Sequence, residues 1–417
     1  MNILLKSAKI VCPENKALHL KKRDILIKKG IIEKIAASID TPSGVKTIER
    51  KNLHVSLGWF DTSVSFGEPG FEERETIENG LGVASSSGFT DIILNPNTNP
   101  LPDSSSDIVF LKERANGNST NLYPLGSLTV NSEGKDLAEL FDMKNSGAVA
   151  FYDFKRQISN SNLLKIALLY AQNFNGLVYS YPQDGQIKGK GIVHEGDVST
   201  MLGLKGIPAM AEELQIARDL FILEYTGGKL HIPTISTANS VKLIANAKKN
   251  GLDISCSVAI HNLIYTDENL KEFDTNYKVM PPLRTKSDCK ALIKGLKDGV
   301  IDFVTSDHIP IDIEDKRVEF DNAAAGTIGL ESAFGSLIQI FDLEDTIALL
   351  TKGRERFELE TPTFKEGTKA CLTLFEVDSD TIFSMDNIHS ISKNSMFLGS
   401  PLKGRAYGVI NNNQILI

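Results

Sequence analysis

Seven histidines occur in the 417 residues, yet no two of them stand in an H-x-H pair. The four cysteines, Cys12, Cys256, Cys289 and Cys371, form no C-x-x-C pair. That spacing argues against a zinc ribbon or a redox dithiol. Scattered cysteines in a chain this size are expected to be reduced core residues, which fits the cytoplasm. No apolar run approaches the ~18 residues of a membrane span. The segment Met1-Asn2-Ile3-Leu4-Leu5-Lys6 lacks the apolar core of a signal peptide. No basic stripe is present either: Lys21-Lys22-Arg23 is the densest cationic run, and the net charge is -8. Nucleic acid is therefore not an expected partner. A G-x-S-x-G nucleophile elbow and a P-loop are also missing.

What remains is an ordinary globular composition, 41% hydrophobic and 24% charged. The length suits one large domain with a smaller one. Short apolar runs recur at His54–Asp61, Thr90–Asn95, Leu122–Leu128, Ala148–Asp153, Leu177–Tyr181, Lys229–Ser236, Asp253–Ile260 and Asp302–Asp307. Most are continuous rather than alternating, as expected of strands covered on both faces. Helical spacing appears between them at Ser161–Gln172, Pro208–Tyr225 and Ser240–Lys249. Eight β-then-α units predict an α/β fold, a (β/α)8 TIM-like barrel with its site at the carboxyl ends of the strands. The two ends of the chain read instead as hairpins, around Lys28-Lys29-Gly30 and Asn411-Asn412-Asn413. The expected organisation is a barrel over residues 56–364 and one small discontinuous β domain built from residues 1–55 and 365–417.

Several motifs sit on this frame in order. They are Gly58-Trp59-Phe60-Asp61-Thr62-Ser63-Val64-Ser65-Phe66-Gly67-Glu68-Pro69-Gly70, Asn95-Pro96-Asn97-Thr98-Asn99-Pro100, His231-Ile232-Pro233-Thr234, Pro281-Pro282-Leu283-Arg284, Thr305-Ser306-Asp307-His308 and Gly326-Thr327-Ile328-Gly329-Leu330-Glu331. Together they resemble the dihydroorotases of the amidohydrolase superfamily, and in particular the non-catalytic members of that family. The family's first motif reads P-G-L-I-D-x-H-V-H-L-R-E-P-G. A strand carries residues i and i+2 on one face, which is why two histidines so spaced can share a metal. Here those two positions are Ser63 and Ser65.

The resemblance implies further losses. The family's other two metal-binding histidines correspond to Tyr181 and Thr234. Hydroxyls are poor zinc ligands beside imidazole. Of the acidic positions, Asp307 matches the family's ligand and general base. Asp153 matches one aspartate of the fourth-strand pair, in an alignment that a one-residue slip would also satisfy. Two carboxylates without imidazoles leave only a hard cation such as Mg²⁺, held loosely through water, as a metal option. Among substrate positions, Asn97 is retained, whereas Gly67, Met280 and Ile311 replace the family's arginine, asparagine and histidine. Of the remaining histidines, His231 and His308 are expected to point away from the site and His261 to approach the barrel mouth. His19, His54, His194 and His389 read as loop or strand-edge residues.

The main reading is a catalytically inactive dihydroorotase-like protein of pyrimidine biosynthesis. It would have no zinc and would act as a structural partner of aspartate carbamoyltransferase or another protein of that pathway. A homodimer is a further implication of the family. The alternatives are an active cyclic-amide hydrolase rebuilt around Asp307, Asp153 and His261, and a small-molecule sensor using the emptied barrel mouth.

Overall fold

Two tight turns organise the ends of the chain. Lys29 and Gly30 take positive φ (49° and 76°), as do Asn412 and Asn413 (51° and 56°). Positive φ at both central residues is the two-residue turn whose twist suits a β-hairpin. These turns join Lys22–Lys28 to Ile31–Ala36 and Pro401–Asn411 to Gln414–Leu416. In the computed structural model, which describes residues 1–417, the two hairpins belong to one eight-stranded sheet. The ends meet where Leu372–Ile382 pairs antiparallel with His54–Leu57, Leu372 opposite Leu57. An apolar core drawn from both ends, including Ile25, Val55, Leu372 and Ile410, fills the space beneath.

The run His54–Asp61 is not one strand. It divides at Gly58, so that His54–Leu57 belongs to the small sheet and Trp59–Val64 begins the barrel. A Cβ at Gly58 would lie 2.1 Å from Thr90 Oγ1 and 2.8 Å from Cys371 Sγ. Only glycine lets the backbone pass between the two bodies at that closeness.

The barrel staves run parallel in chain order. Trp59–Val64 pairs with Phe89–Leu94, which pairs with Asn121–Pro124. Leu177–Tyr179, Lys229–Ile232, Ile254–Ala259 and Phe303–Thr305 follow side by side. The fourth stave, expected over Ala148–Asp153, shrinks to Phe151, which bridges Gly126 on one side and Val178 on the other. A bridge between Val64 and His308 closes the ring. Helices Ser161–Ala171, Met210–Thr226 and Ala238–Lys249 lie where the helical spacing placed them. Phe60, Tyr152, Tyr179 and Phe303 pack inside the ring, and a larger apolar layer separates staves from helices. No helix is long and apolar enough to cross a membrane.

Arg354 plugs the floor of the barrel, opposite the mouth. Its guanidinium is buried, donates to Asp91 Oδ2 at 2.6 Å and to the Gly58 carbonyl at 2.9 Å, and lies over the Phe60 ring. Removing one partner of such a pair leaves the other charge unpaired in a dry site, at about 3–5 kcal/mol. Arg354→Met is therefore expected to lower the unfolding free energy by that amount in urea titration, with Asp91→Asn in the same chain recovering part of it. A loss under about 1 kcal/mol would mean that the floor does not depend on the pair.

Candidate active site

The first and eighth staves meet at a polar seam. Asp61 accepts hydrogen bonds from Ser306 N (2.9 Å), Ser63 N (3.0 Å) and the Thr305 hydroxyl. Just beyond, Asp307 takes a left-handed backbone (φ 46°). Its Oδ1 accepts from Ser63 Oγ at 3.1 Å, and its Oδ2 accepts from Lys155 Nζ at 2.8 Å. Asn95 Nδ2 donates to Ser63 Oγ and Ser65 Oγ, both at 3.1 Å. Ser63 and Ser65, which the motif resemblance matches to histidines, thus join an unbroken hydrogen-bonded chain, Ser65–Asn95–Ser63–Asp307–Lys155.

Lys155 was not singled out by the sequence reading, and it is the residue that gives this site its character. It ends Phe151-Tyr152-Asp153-Phe154-Lys155, which the resemblance sets against the family's fourth-strand motif F-S/T-D-D-G, and its φ is 53°. That backbone costs a non-glycine residue about 1–2 kcal/mol. Its ammonium offsets the cost by pairing with Asp307 and donating to the Met280 carbonyl oxygen. The Tyr152 hydroxyl accepts from Lys155 N at 3.0 Å and fixes the turn. The one signal available beforehand was a lysine at a glycine position of the motif.

Three other residues, just past the carboxyl ends of the fifth, sixth and seventh staves, are buried and lack a partner. The Tyr181 hydroxyl, Thr234 Oγ1 and both ring nitrogens of His261 make no hydrogen bond. Burial, reinforced by Asp307 and Glu212, pushes the Tyr181 phenol well above its ordinary range, so it stays neutral. Burial holds the His261 imidazole down to about 4, against the opposing pull of Asp307. His261 therefore does approach the mouth, as a neutral ring.

His231 departs from expectation in direction. The stave ends at Ile232 and Thr234 takes φ 48°, so strand alternation cannot be counted across Pro233. The His231 ring points into the barrel, tilted against the Tyr179 ring at 4.4 Å between centroids, with its nitrogens 2.8 Å and 3.2 Å from Ser255 and Ser257 Oγ. His308 points away from the mouth, accepting at Nδ1 from Gly329 N at 3.2 Å.

Asp153 is not part of the cluster. Its carboxylate accepts from Leu128 N and Thr129 N, both at 3.0 Å, and from Thr129 Oγ1 at 2.6 Å. It pins the loop after the third stave instead of facing Asp307, so a site rebuilt on the Asp153–Asp307 pair is not assembled. Gly67 is closed to its family residue as well: a Cβ there would lie 1.7 Å from the Phe71 carbonyl oxygen. Met280 offers its backbone to Lys155 and its sulfur to Gln183 Nε2. Ile311 is buried, with its N–H on Asn394 Oδ1 at 3.0 Å. Asn97 lies off the cluster, lining a cleft of about 390 Å³ with Phe71, Phe154 and Arg156. Arg284 is buried as a brace, with Nε 3.0 Å from Ser236 Oγ and a guanidinium nitrogen 2.9 Å from the Ile207 carbonyl.

The zinc implied by the family's motif does not fit these residues. Such a site needs several imidazole, thiolate or carboxylate donors around one point. Here the Asp307 carboxylate meets the Ser63 hydroxyl and the Lys155 ammonium, and no three His, Cys, Asp or Glu side chains cluster suitably. Two outcomes are expected. A chain carrying Ser63→His, Ser65→His, Tyr181→His and Thr234→His should hold less than about a tenth of an equivalent of zinc by elemental mass spectrometry, and gain it only when Lys155→Gly is added. Loading of the four-histidine chain alone would refute the role given to Lys155. Secondly, the folded His261 pKa of about 4 lies below its ordinary 6.5. The unfolded chain binds the extra proton between those values, so stability is lost as pH falls through that window. Between pH 7 and pH 5, His261→Gln should lose about 2 kcal/mol less stability than the native chain, measured by urea midpoints.

Comparison with known proteins places this geometry in a family. A family model described as dihydro-orotase-like matches residues 54–240. A dihydroorotase of Pelotomaculum thermopropionicum is 37% identical, with 100% of this chain and 99% of that protein covered. One of Caldicellulosiruptor saccharolyticus is 39% identical over 99% of this chain and 98% of its own length. Among solved structures, the L-hydantoinase (dihydropyrimidinase) of Arthrobacter aurescens superposes with a TM-score of 0.84 at 21% identity, covering 100% of this chain and 97% of that one. The fold is thus that of the hydantoinase-type barrel with its terminal β domain, and the chain belongs to the dihydroorotase-like family of amidohydrolases.

Proposed function

We propose that this chain is a dihydroorotase-family protein of pyrimidine biosynthesis that has given up metal-assisted hydrolysis of cyclic amides. In this reading it acts in the cytoplasm as a structural partner of aspartate carbamoyltransferase. The observation that carries the proposal is the Lys155–Asp307 pair. A hydrolytic site of this type needs a metal to acidify water and a carboxylate free to take the proton. Here both oxygens of Asp307 are engaged, one by the Ser63 hydroxyl and one by the Lys155 ammonium. The frame around the mouth is meanwhile kept by buried polar braces such as Arg284 and Glu212, whose purpose is architectural.

A second reading has a specific observation in its favour: relatives 37% and 39% identical over nearly the whole chain carry the name dihydroorotase. In that reading the chain is a cyclic-amide hydrolase with a rebuilt site, and His261, neutral and unpartnered, is the candidate base.

One experiment separates them. The purified full chain is assayed with dihydroorotate and with hydantoin, with and without added zinc, and passed over immobilised aspartate carbamoyltransferase. The expected result is retention on the carbamoyltransferase and no turnover above that of Asp307→Asn. Turnover abolished by Asp307→Asn or His261→Gln would establish the hydrolase. A rise in melting temperature with either compound, without turnover or retention, would instead identify a sensor.

A further inference from the structure

A cleft of about 910 Å³ lies between residues 194–198, residues 266–268 and the first turn of helix Lys286–Lys297, and it shares no residue with the Asp307 cluster. Two of its lining side chains are buried yet end there without a partner. His194 is 9% exposed and Asp267 is 8% exposed. A side chain at Gly196 would begin 3.6 Å from His194 Nε2 and 3.9 Å from Asp267 Oδ2, so the glycine leaves open the space that both groups face.

The two groups have fixed and opposite characters. Arg284 Nη1 donates to His194 Nδ1 at 3.1 Å. A guanidinium only donates, so Nδ1 is the bare nitrogen and the proton sits on Nε2. Burial and the Arg284 charge hold the imidazole down to about 4, so the ring is a neutral donor toward the cleft. A protonated nitrogen does not ligate a metal, so this pair is not half of a metal site. Asp267 is the reverse, a carboxylate to which no side chain donates, raised above its ordinary range by burial and by neighbouring Glu268 and Asp288. Further out on the cleft stand Lys286 and Lys290, one helical turn apart, and Asp197 and Glu268. None of these four forms an ion pair within the chain. Val198, Leu263 and Ile293 give the cleft an apolar wall.

We propose that this cleft binds a free amino acid with an aliphatic side chain. The ligand's ammonium group donates to Asp267, and its carboxylate accepts from His194 Nε2 on the side where Lys286 begins the helix. The ligand thereby supplies the cation that Asp267 lacks, through a charge-assisted hydrogen bond in a largely dry place. Its side chain lies on the wall of Val198, Leu263 and Ile293. A ligand with only one of the two charged groups leaves either the carboxylate or the imidazole N–H unmet. The inference does not rest on any reading of the barrel mouth.

Isothermal titration calorimetry of the full chain with L-leucine tests it. The comparison ligands are 4-methylpentanoate, which lacks the ammonium group, and 3-methylbutylamine, which lacks the carboxylate. L-Leucine is expected to bind once per chain with a Kd below about 1 mM, and each comparison ligand at least about tenfold more weakly. L-Aspartate should also bind more weakly, because its second carboxylate meets the apolar wall. Asp267→Asn, which keeps the shape and removes the charge, should weaken L-leucine at least about tenfold. If that variant does not fold, Lys286→Ala, at an exposed position, carries the test with an expected weakening of about threefold. No binding of L-leucine at about 20 mM overturns the proposal. So does a comparison ligand that binds as tightly as L-leucine, or unchanged affinity in the folded variant. Turnover or its absence at the barrel mouth alters none of these outcomes.

Discussion

A buried carboxylate at the seam between the first and eighth staves governs this structure. The ring closes there, through the Val64–His308 bridge and through Asp61, which collects the backbone of both staves. Asp307 sits in the same seam, almost wholly out of water. A carboxylate so placed must meet a cation or give up its charge. In the family motif the surrounding histidines bring a metal to it. In this chain a covalently tethered cation, the Lys155 ammonium, reaches it at 2.8 Å. The remaining features of the mouth follow from satisfying that pair: two serines joined through Asn95, a lysine held in a backbone that favours glycine, and a carbonyl of Met280 turned toward the ammonium.

The ends of the chain brace this mouth from outside. Asn394, beyond the barrel, accepts from Ile311 N and donates to the carbonyls of Ile309 and Gly326. Glu75, on the loop after the first stave, accepts from Ile391 N at 3.0 Å. The loop from Gly67 to Glu75 folds tightly on itself, with Gly67 N on the Glu75 carbonyl at 2.8 Å. Gly67, Met280 and Ile311, which the motif resemblance matches to substrate contacts, are structural contacts here. At each of these three positions the wall gains a hydrogen bond or a close packing contact.

Much of the architecture was legible in the residues. Continuous apolar runs separated by helical spacing specify covered parallel strands, and Lys29-Gly30 and Asn412-Asn413 specify tight hairpins, because these depend on local periodicity and on which residues tolerate positive φ. That Ser63, Ser65, Tyr181 and Thr234 are not imidazoles is equally a property of the sequence. Tertiary structure alone decided the rest. Gly58 splits a run that looks continuous because Thr90 and Cys371 crowd it from distant parts of the chain. His231 turns inward because its strand ends one residue before Pro233. Asp153 turns to the backbone of Leu128 and Thr129, while Lys155, two residues on, turns to Asp307. A sequence displays which donors are gone; which cation reaches a buried carboxylate depends on backbone direction and on side chains 152 residues apart meeting across the barrel.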